Sequence, residues 1–170
     1  MTHRFSGPIP GLFLVVARAT NGTIGNAGGL PWKIPADMRR FRTLTLDKTV
    51  IMGRKTFESL PGTLPRRRHV VITRDAEWQA EGVDVAQDEE SALWIAGAGE
   101  NEVAVIGGVA IFELFEPLAT RIELTEINAP IPGDTTMPGF DPARWREVRR
   151  VAQAPLEGEP AYDFVTLERV

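Results

Sequence analysis

Short apolar runs with no polar interruption constrain this chain most. Leu12-Phe13-Leu14-Val15-Val16-Ala17, Val50-Ile51-Met52-Gly53 and Val103-Ala104-Val105-Ile106 hold no charge, and each is too short for a core helix. A strand with one face in water alternates apolar and polar residues; a strand covered on both faces reads as a continuous apolar run. His69–Thr73, Val83–Ala86 and Arg121–Ile127 read as further strands. Between them lie helical stretches over 36–46, over Arg54–Leu60 with a stop at Pro61, over Glu89–Gly97, and from Gly108 to Phe115 ahead of Pro117. Strands that alternate with helices make a parallel sheet covered on both faces. The last two strands, about 145–152 and 161–169, are joined by a Gly/Pro-containing loop and pair as a hairpin. The fold class expected is therefore three-layer α/β. It has a mostly parallel central sheet of about eight strands, an antiparallel C-terminal edge strand and about four flanking helices.

At 170 residues the chain is sized for one domain, expected over 11–170 after a flexible lead, 1–10, that contains Gly7, Pro8 and Pro10. A formal net charge of -4 argues against a nucleic-acid footprint, and Arg66-Arg67-Arg68 is too short to reverse that. Without cysteine there is no disulfide, thiolate zinc site or cysteine nucleophile. His3 and His69 lie far apart in sequence, so no metal is expected. Ala17-Arg18-Ala19 has the look of a cleavage site, but the apolar run before it is short and follows two prolines; export is not expected. No run approaches the ~20 apolar residues of a spanning helix, so no membrane partner is expected; the absence of cysteine fits a reducing cytoplasm, and a cytoplasmic monomer is the expectation.

Candidate chemistry gathers after the strands. In Leu30-Pro31-Trp32-Lys33-Ile34-Pro35-Ala36-Asp37-Met38, the acid opens a helix whose next face residues are apolar, Phe41 and Leu44 following at i+4 and i+7. Burial raises the pKa of such an acid and the helix N-terminus lowers it. At the edge of an oily pocket it can recognise a flat, protonatable heterocycle; as a plain first-turn acid it complements the helix dipole. Gly53-Arg54-Lys55-Thr56 and Ile106-Gly107-Gly108-Val109 each end an apolar strand in glycine and begin a helix, which suits phosphate or a flat ring. A tight or basic solvated turn would look the same. Neither matches the triphosphate loop, and the first strand–helix turn lacks GxGxxG. Thr73-Arg74 follows the third strand, where Arg74 can join Arg54 on a phosphate or lie in solvent. Arg67 can hold a ligand carboxylate or be solvated, and Thr125 can bond a carboxylate or serve only as a strand former. Ligands of parallel sheets bind at the carboxyl ends of the strands. One acid with several phosphate-suited turns there suggests a phosphorylated cofactor meeting a small polar-aromatic substrate.

These residues resemble dihydrofolate reductase of the bacterial chromosomal type. The matches are Ile24-Gly25, Leu30-Pro31-Trp32, Pro35-Ala36-Asp37, Val50 through Thr56, Ile106-Gly107-Gly108, Leu124-Thr125 and Gly133-Asp134-Thr135, in the family's order and spread over 12–168. The resemblance implies an oxidoreductase of folate and one-carbon metabolism that reduces 7,8-dihydrofolate to tetrahydrofolate with NADPH. Hydride goes to pterin C6 and a proton to N5. By the same likeness Asp37, Trp32 and Thr125 are catalytic: Asp37 binds the pterin 2-amino group and N3, with Thr125 and a water on Trp32 in one network. In the family the acid is too far from N5 for direct transfer and acts through water and electrostatics.

The resemblance extends to the walls of the cleft. Val15, Val16, Leu30, Met38, Phe41, Ser59, Leu60, Leu64 and Ile106 would line the pterin and aminobenzoyl groups, and Arg67 would hold the glutamate α-carboxylate. Ala17, Ile24 and Gly25 would border the nicotinamide. Arg54, Thr73 and Arg74 would read the 2′-phosphate; Gly53, Lys55, Thr56 and the Gly107-Gly108 turn would meet the phosphates. Val109, Ala110, Phe112 and Thr135 complete the expected cofactor contacts, with a cis peptide between the paired glycines. Asn21–Leu30 would be a mobile lid steadied by Asp134. Two features depart from the pattern: Phe112 stands where many relatives carry tyrosine, and Gly28-Gly29 precedes Leu30. Diaminopyrimidine and pteridine antifolates are the expected inhibitors. A sibling reductase of a riboflavin-pathway pyrimidine and a non-catalytic folate or NADPH binding module are the competing readings; Trp32, Asp37 and Thr125 together argue against the first, and intact Asp37 and Trp32 against the second.

Overall fold

The computed structural model describes residues 5–170. Along the chain run β1 (Leu12–Ala19), β2 (Thr23–Gly25), α1 (Pro35–Thr45), β3 (Thr49–Gly53), α2 (Arg54–Ser59), β4 (Arg68–Ile72), β5 (Val83–Ala86) and α3 (Glu89–Ala96). They are followed by β6 (Val103–Val105), α4 (Val109–Phe115), β7 (Arg121–Ile127), β8 (Thr135–Thr136), β9 (Trp145–Gln153) and β10 (Tyr162–Arg169). Eight strands form one sheet in the order β5-β4-β3-β6-β1-β7-β10-β9, and β2 and β8 form a second, two-stranded one. From β5 to β7 every pairing is parallel, and β10 runs against both of its neighbours. The outer edge is β9; the C-terminal strand β10 lies inside it.

Alternation along β1 divides the molecule into three layers. Leu12, Leu14 and Val16 pack with Ala92, Leu93 and Ala96 of α3 and Ile111, Phe112 and Phe115 of α4. Phe13 and Val15 face the other way, toward Leu44 of α1, Phe57 of α2 and Leu60. A third cluster carries that second layer to the end of the sheet, with Trp32, Ile34 and Ala36 against Ala17, Ala19, Ile127, Tyr162 and Phe164. Both faces of the central strands are thus covered, which is why β1, β3 and β6 read as unbroken apolar runs.

Local signals set the helix ends. Asp88 caps α3 by accepting the Ser91 N–H at 2.7 Å, and Gly97, at φ +68°, closes it with an N–H bond to the last turn. Pro35 occupies the first turn of α1, where its missing N–H costs nothing. Residues 1–4 of the expected flexible lead lie outside the described residues. Later in that lead Ile9 is buried and donates its N–H to the Leu118 carbonyl at 2.8 Å, so the segment just ahead of β1 is packed onto the core. Among the described residues no helix is long and apolar enough to cross a membrane.

Candidate active site

Parallel pairing brings the carboxyl ends of β4, β3, β6, β1 and β7 to one edge. Register sets Gly53 beside Ile72 and Ala17 beside Thr125, and the Gly53 N–H donates to the Gly107 carbonyl at 2.9 Å. α1 crosses that edge and carries Asp37. The Thr125 hydroxyl donates to Asp37 Oδ1 at 2.5 Å, joining helix to strand across 88 positions of sequence. Burial pushes the Asp37 carboxyl above the ordinary aspartate range; the Thr125 bond and then the Arg40 guanidinium pull it back without cancelling the rise.

Two residues beside this pair were not among the expected ones. Arg40 Nη1 donates to Thr125 Oγ1 at 3.3 Å, and Arg40 Nη2 lies 3.3 Å from Glu123 Oε2. The guanidinium also stacks over Phe164, 4.6 Å from the ring centroid. Spacing holds the signal that could have found both. Arg40 follows Asp37 by three on a helix, and Glu123 precedes Thr125 by two on a strand, so each shares a face with its partner.

The expected apolar wall is only partly closed. Val15, Leu60 and Ile106 belong to one cluster with Leu44 and Phe57. Phe41 is half-buried, while Leu30 and Met38 stand 48% and 56% exposed. Val16 is different. Its side chain lies on the opposite face of the sheet, toward α4, so it cannot wall the same cleft as Val15. Ser59 is exposed and its hydroxyl donates back to the Thr56 carbonyl at 2.6 Å. The Trp32 indole N–H is buried with no acceptor among the described residues.

Leu64 and Arg67 sit on the loop before β4. Arg67 is folded inward, Nε donating to the Pro65 carbonyl at 2.9 Å and Nη1 to Thr45 Oγ1 at 3.2 Å. Burial and then Arg42 lower its pKa, with Asp47 opposing. His69, fully buried, staples this loop: its Nε2 accepts the Leu64 N–H at 2.9 Å, and its Nδ1 lies 3.1 Å from the Arg67 carbonyl. With Nε2 as acceptor the ring proton belongs on Nδ1, and burial favours this neutral form by lowering the pKa.

On the other side of β6 the peptide between Gly107 and Gly108 is cis, as expected. Gly107 has φ +119°, and a Cβ there would meet the Phe112 ring at 3.2 Å; Thr56 Oγ1 faces both glycines, 4.0 and 3.8 Å from their would-be Cβ positions. Arg54 and Lys55 begin α2, and Thr73 and Arg74 follow β4. Arg54 reaches Glu58 at 3.4 Å and Asp75 at 3.5 Å and lies over Trp78, neither Asp75 nor Trp78 having been expected. Ile24, Val109 and Phe112 pack in the α3/α4 layer, and Ala110 is exposed.

The segment expected to form a lid contains β2 and is clasped to the loop around β8. Asp134 Oδ2 accepts the Ala27 N–H at 3.0 Å, Thr23 Oγ1 donates to the Ile131 carbonyl at 2.7 Å, and Asn26 and Gly29 exchange backbone bonds. A Cβ on Gly133 would lie 2.5 Å from both the Gly25 carbonyl oxygen and Thr23 Cγ2. Gly133→Ala is therefore expected to part the two strands and release the Ala27 N–H, at a local cost of about 1–3 kcal/mol. The check is amide exchange at Ala27, which should accelerate at least tenfold while exchange in β1 stays unchanged.

A sheet of parallel strands covered on both faces, with a half-buried acid over its carboxyl edge, defines an open-sheet α/β domain of the ligand-binding kind. Comparison with known proteins makes this specific: the sequence model of dihydrofolate reductase matches residues 11–169, and the chain belongs to that family. It is 42% identical over 158 residues to dihydrofolate reductase type 3 of Salmonella typhimurium, covering 92% of this chain and 96% of the relative. It is 40% identical over 153 residues to the dihydrofolate reductase of Neisseria meningitidis, covering 89% and 94%. Among solved structures, dihydrofolate reductase from Enterococcus faecalis, complexed with NADP(H) and RAB-propyl, superimposes with a TM-score of 0.86 at 33% identity. That match spans 96% of this chain and 99% of the other.

Proposed function

We infer that this chain catalyses the NADPH-dependent reduction of 7,8-dihydrofolate to 5,6,7,8-tetrahydrofolate, with hydride delivered to pterin C6 and a proton to N5. The observation that carries the reading is the Asp37–Thr125 pair. Thr125 occupies one side of Oδ1 and leaves the rest of the carboxylate free to accept two parallel N–H bonds from an aminopyrimidine edge. The upward shift of the Asp37 pKa suits a group that accepts or relays a proton. Trp32 offers a buried N–H on the same wall, placed to hold a water or a pterin heteroatom.

The residues around Gly107 fit a dinucleotide. A cradle that any Cβ on Gly107 would fill lies against Phe112 and Thr56, with Arg54, Thr73 and Arg74 grouped where β3 and β4 end. When bound, NADPH supplies the hydride from nicotinamide C4. The chain's own residues do the rest. Ala17, Ile24 and Gly25 border the nicotinamide; Thr56 and the glycine turn hold the pyrophosphate; Arg54, Thr73 and Arg74 take the 2′-phosphate. Leu30, Met38, Phe41, Leu60, Leu64 and Ile106 exclude water from the pterin and aminobenzoyl groups, and Arg67 takes the glutamate carboxylate. The Asn21–Leu30 segment closes over the reacting atoms, held by Asp134. The same acid draws diaminopyrimidine antifolates by their cationic edge, and the enzyme works as a cytoplasmic monomer.

The purified protein is expected to consume NADPH, read as loss of nicotinamide absorbance, only when dihydrofolate is supplied, and a diaminopyrimidine should stop the reaction competitively with dihydrofolate. Absence of turnover with dihydrofolate, with cofactor bound, would overturn the assignment.

A further inference from the structure

A permanent cation is joined to the proposed catalytic acid through one intervening side chain, Thr125, and its own partner is a second carboxylate. Arg40 and Glu123 side chains are only 14% and 10% exposed, and their atoms meet at 3.3 Å. Exposed ion pairs are routine and weak; a pair this enclosed needs further bonds to offset the loss of water. Those bonds lead to the site. One guanidinium arm goes to Glu123, the other donates to Thr125 Oγ1, and Phe164 supports the flat face.

This arrangement fixes a proton. A hydroxyl has one O–H and two lone pairs. Because Arg40 can only donate, its bond uses a lone pair of Thr125 Oγ1, and the hydroxyl proton is left to point at Asp37 Oδ1, 2.5 Å away. Arg40 thus donates to both Glu123 and Thr125, and Thr125 in turn donates to Asp37, so every donor in the series is fixed. We propose that Arg40, held by Glu123, is a positioning residue for the reduction: it aims the Thr125 hydroxyl at Asp37 and holds negative charge on that carboxyl against its apolar surroundings. The proposal rests on the reading that Asp37 governs the reaction.

The surroundings contribute identifiable charges. α1 supplies Asp37, Arg39 and Arg40 itself. β7 supplies Glu123 and Arg121, the latter 3.7 Å from the other Glu123 oxygen. β9 supplies Arg149, which opposes the charge on Arg40, and β10 supplies the buried phenol of Tyr162, which faces Asp37 and stays protonated well past neutrality. Arg40 and Asp37 each favour the charged form of the other. Glu123 tempers the cation, so the two neighbours of the chain act on Asp37 with opposite signs.

Two measurements test this. One is the pH profile of single-turnover hydride transfer with dihydrofolate; the other is the titration of the Asp37 carboxyl carbon followed by NMR in the cofactor-free protein. In Arg40→Met both midpoints should rise by about one pH unit. In Glu123→Gln, where the cation is no longer offset, both should fall. Arg40→Lys keeps the charge and should lie close to wild type in midpoint. A merely structural Arg40 would lower rate or stability and leave the midpoints in place. If the Asp37 resonance titrates at the wild-type midpoint in both Arg40→Met and Glu123→Gln, the proposal is overturned, and Glu123→Gln decides it alone should Arg40→Met not fold. If Asp37→Asn retains the wild-type kinetic profile, the catalytic reading of Asp37 fails instead, and with it the link from Arg40 to the reaction.

Discussion

Asp37→Asn is expected to slow hydride transfer at neutral pH by roughly two to three orders of magnitude, the range of a positioned acid–base group. Asparagine keeps the shape and can still accept the Thr125 hydroxyl. It cannot carry the charge or the proton, and its amide would oppose the N–H donors of an aminopyrimidine edge. The deficit should shrink in acid, because protonation of the substrate before transfer replaces part of what the carboxyl supplies. Stability should move the other way. Burial raises the Asp37 pKa above 3.8, so between that value and the raised one the folded chain holds a proton that the unfolded chain has lost. Folding stability therefore falls as pH climbs through that window, and at neutral pH the wild type carries the cost of a desolvated carboxylate. Asparagine does not titrate. The variant should melt higher than wild type at neutral pH, with the difference vanishing once pH drops below the ordinary aspartate range. Thermal melts at two pH values and a single-turnover series check both halves. A variant slower but no more stable at neutral pH would mean that the native carboxylate is better solvated than its surroundings indicate.

Residue by residue, what was legible in the chain was what local physics fixes. Leu12–Ala17, Val50–Gly53 and Val103–Ile106 announce strands covered on both faces, and the sheet places helices on both. Gly97 and Pro61 mark real helix ends because a positive φ or a missing N–H is a property of one residue. Nothing in the sequence marks β2 and β8 as strands. At three and two residues they carry no periodicity, and their pairing depends on the close seat of Gly133 against Gly25, a contact 108 positions apart. The place of β10 inside β9 was equally hidden, since both orders give the same hairpin pattern. At the site, Asp37 and Thr125 do meet. Val15 and Val16 are adjacent on a strand and therefore point to opposite faces, a rule that suffices to keep Val16 out of the cleft that Val15 lines. Arg40 and Glu123 carry no such signal of their enclosure, because an isolated charge on a helix or strand ordinarily faces water; Phe164 covers Arg40, and Glu123 lies on β7 between β1 and β10, both of which only the tertiary fold delivers.

Arg54→Ala combined with Arg74→Ala is expected to weaken NADPH by two to three orders of magnitude while NADH changes only a few-fold. The register of β3 on β4 sets Gly53 beside Ile72, so the residues that follow each strand, Arg54 and Thr73-Arg74, emerge side by side. Arg54 is already oriented there by Trp78, whose ring centroid lies 5.4 Å away. Its present partners, Glu58 and Asp75, sit at 3.4 and 3.5 Å with half their surface in solvent, and such pairs are worth ~0–1 kcal/mol. A 2′-phosphate, with two charges and three acceptor oxygens, would displace them readily. Arg74 is exposed and rises from a turn in which Thr73 Oγ1 accepts the Asp75 N–H at 3.2 Å, so its stem is fixed and its head free to reach the same point. Hydrogen bonds to charged groups contribute ~1.5–3 kcal/mol each, and two of them toward the lower end of that range convert to the stated loss in affinity. NADH lacks the phosphate, so removing both cations takes nothing specific from it. The single variants should each show part of the effect, and the wild-type preference for NADPH should decline with salt, since these cations lie at the surface. Cofactor titration of the four proteins by fluorescence reads all of this directly. Equal weakening of NADPH and NADH in the double variant would place the 2′-phosphate away from the β3 and β4 ends and leave Arg54 as a residue that only secures the α2 turn.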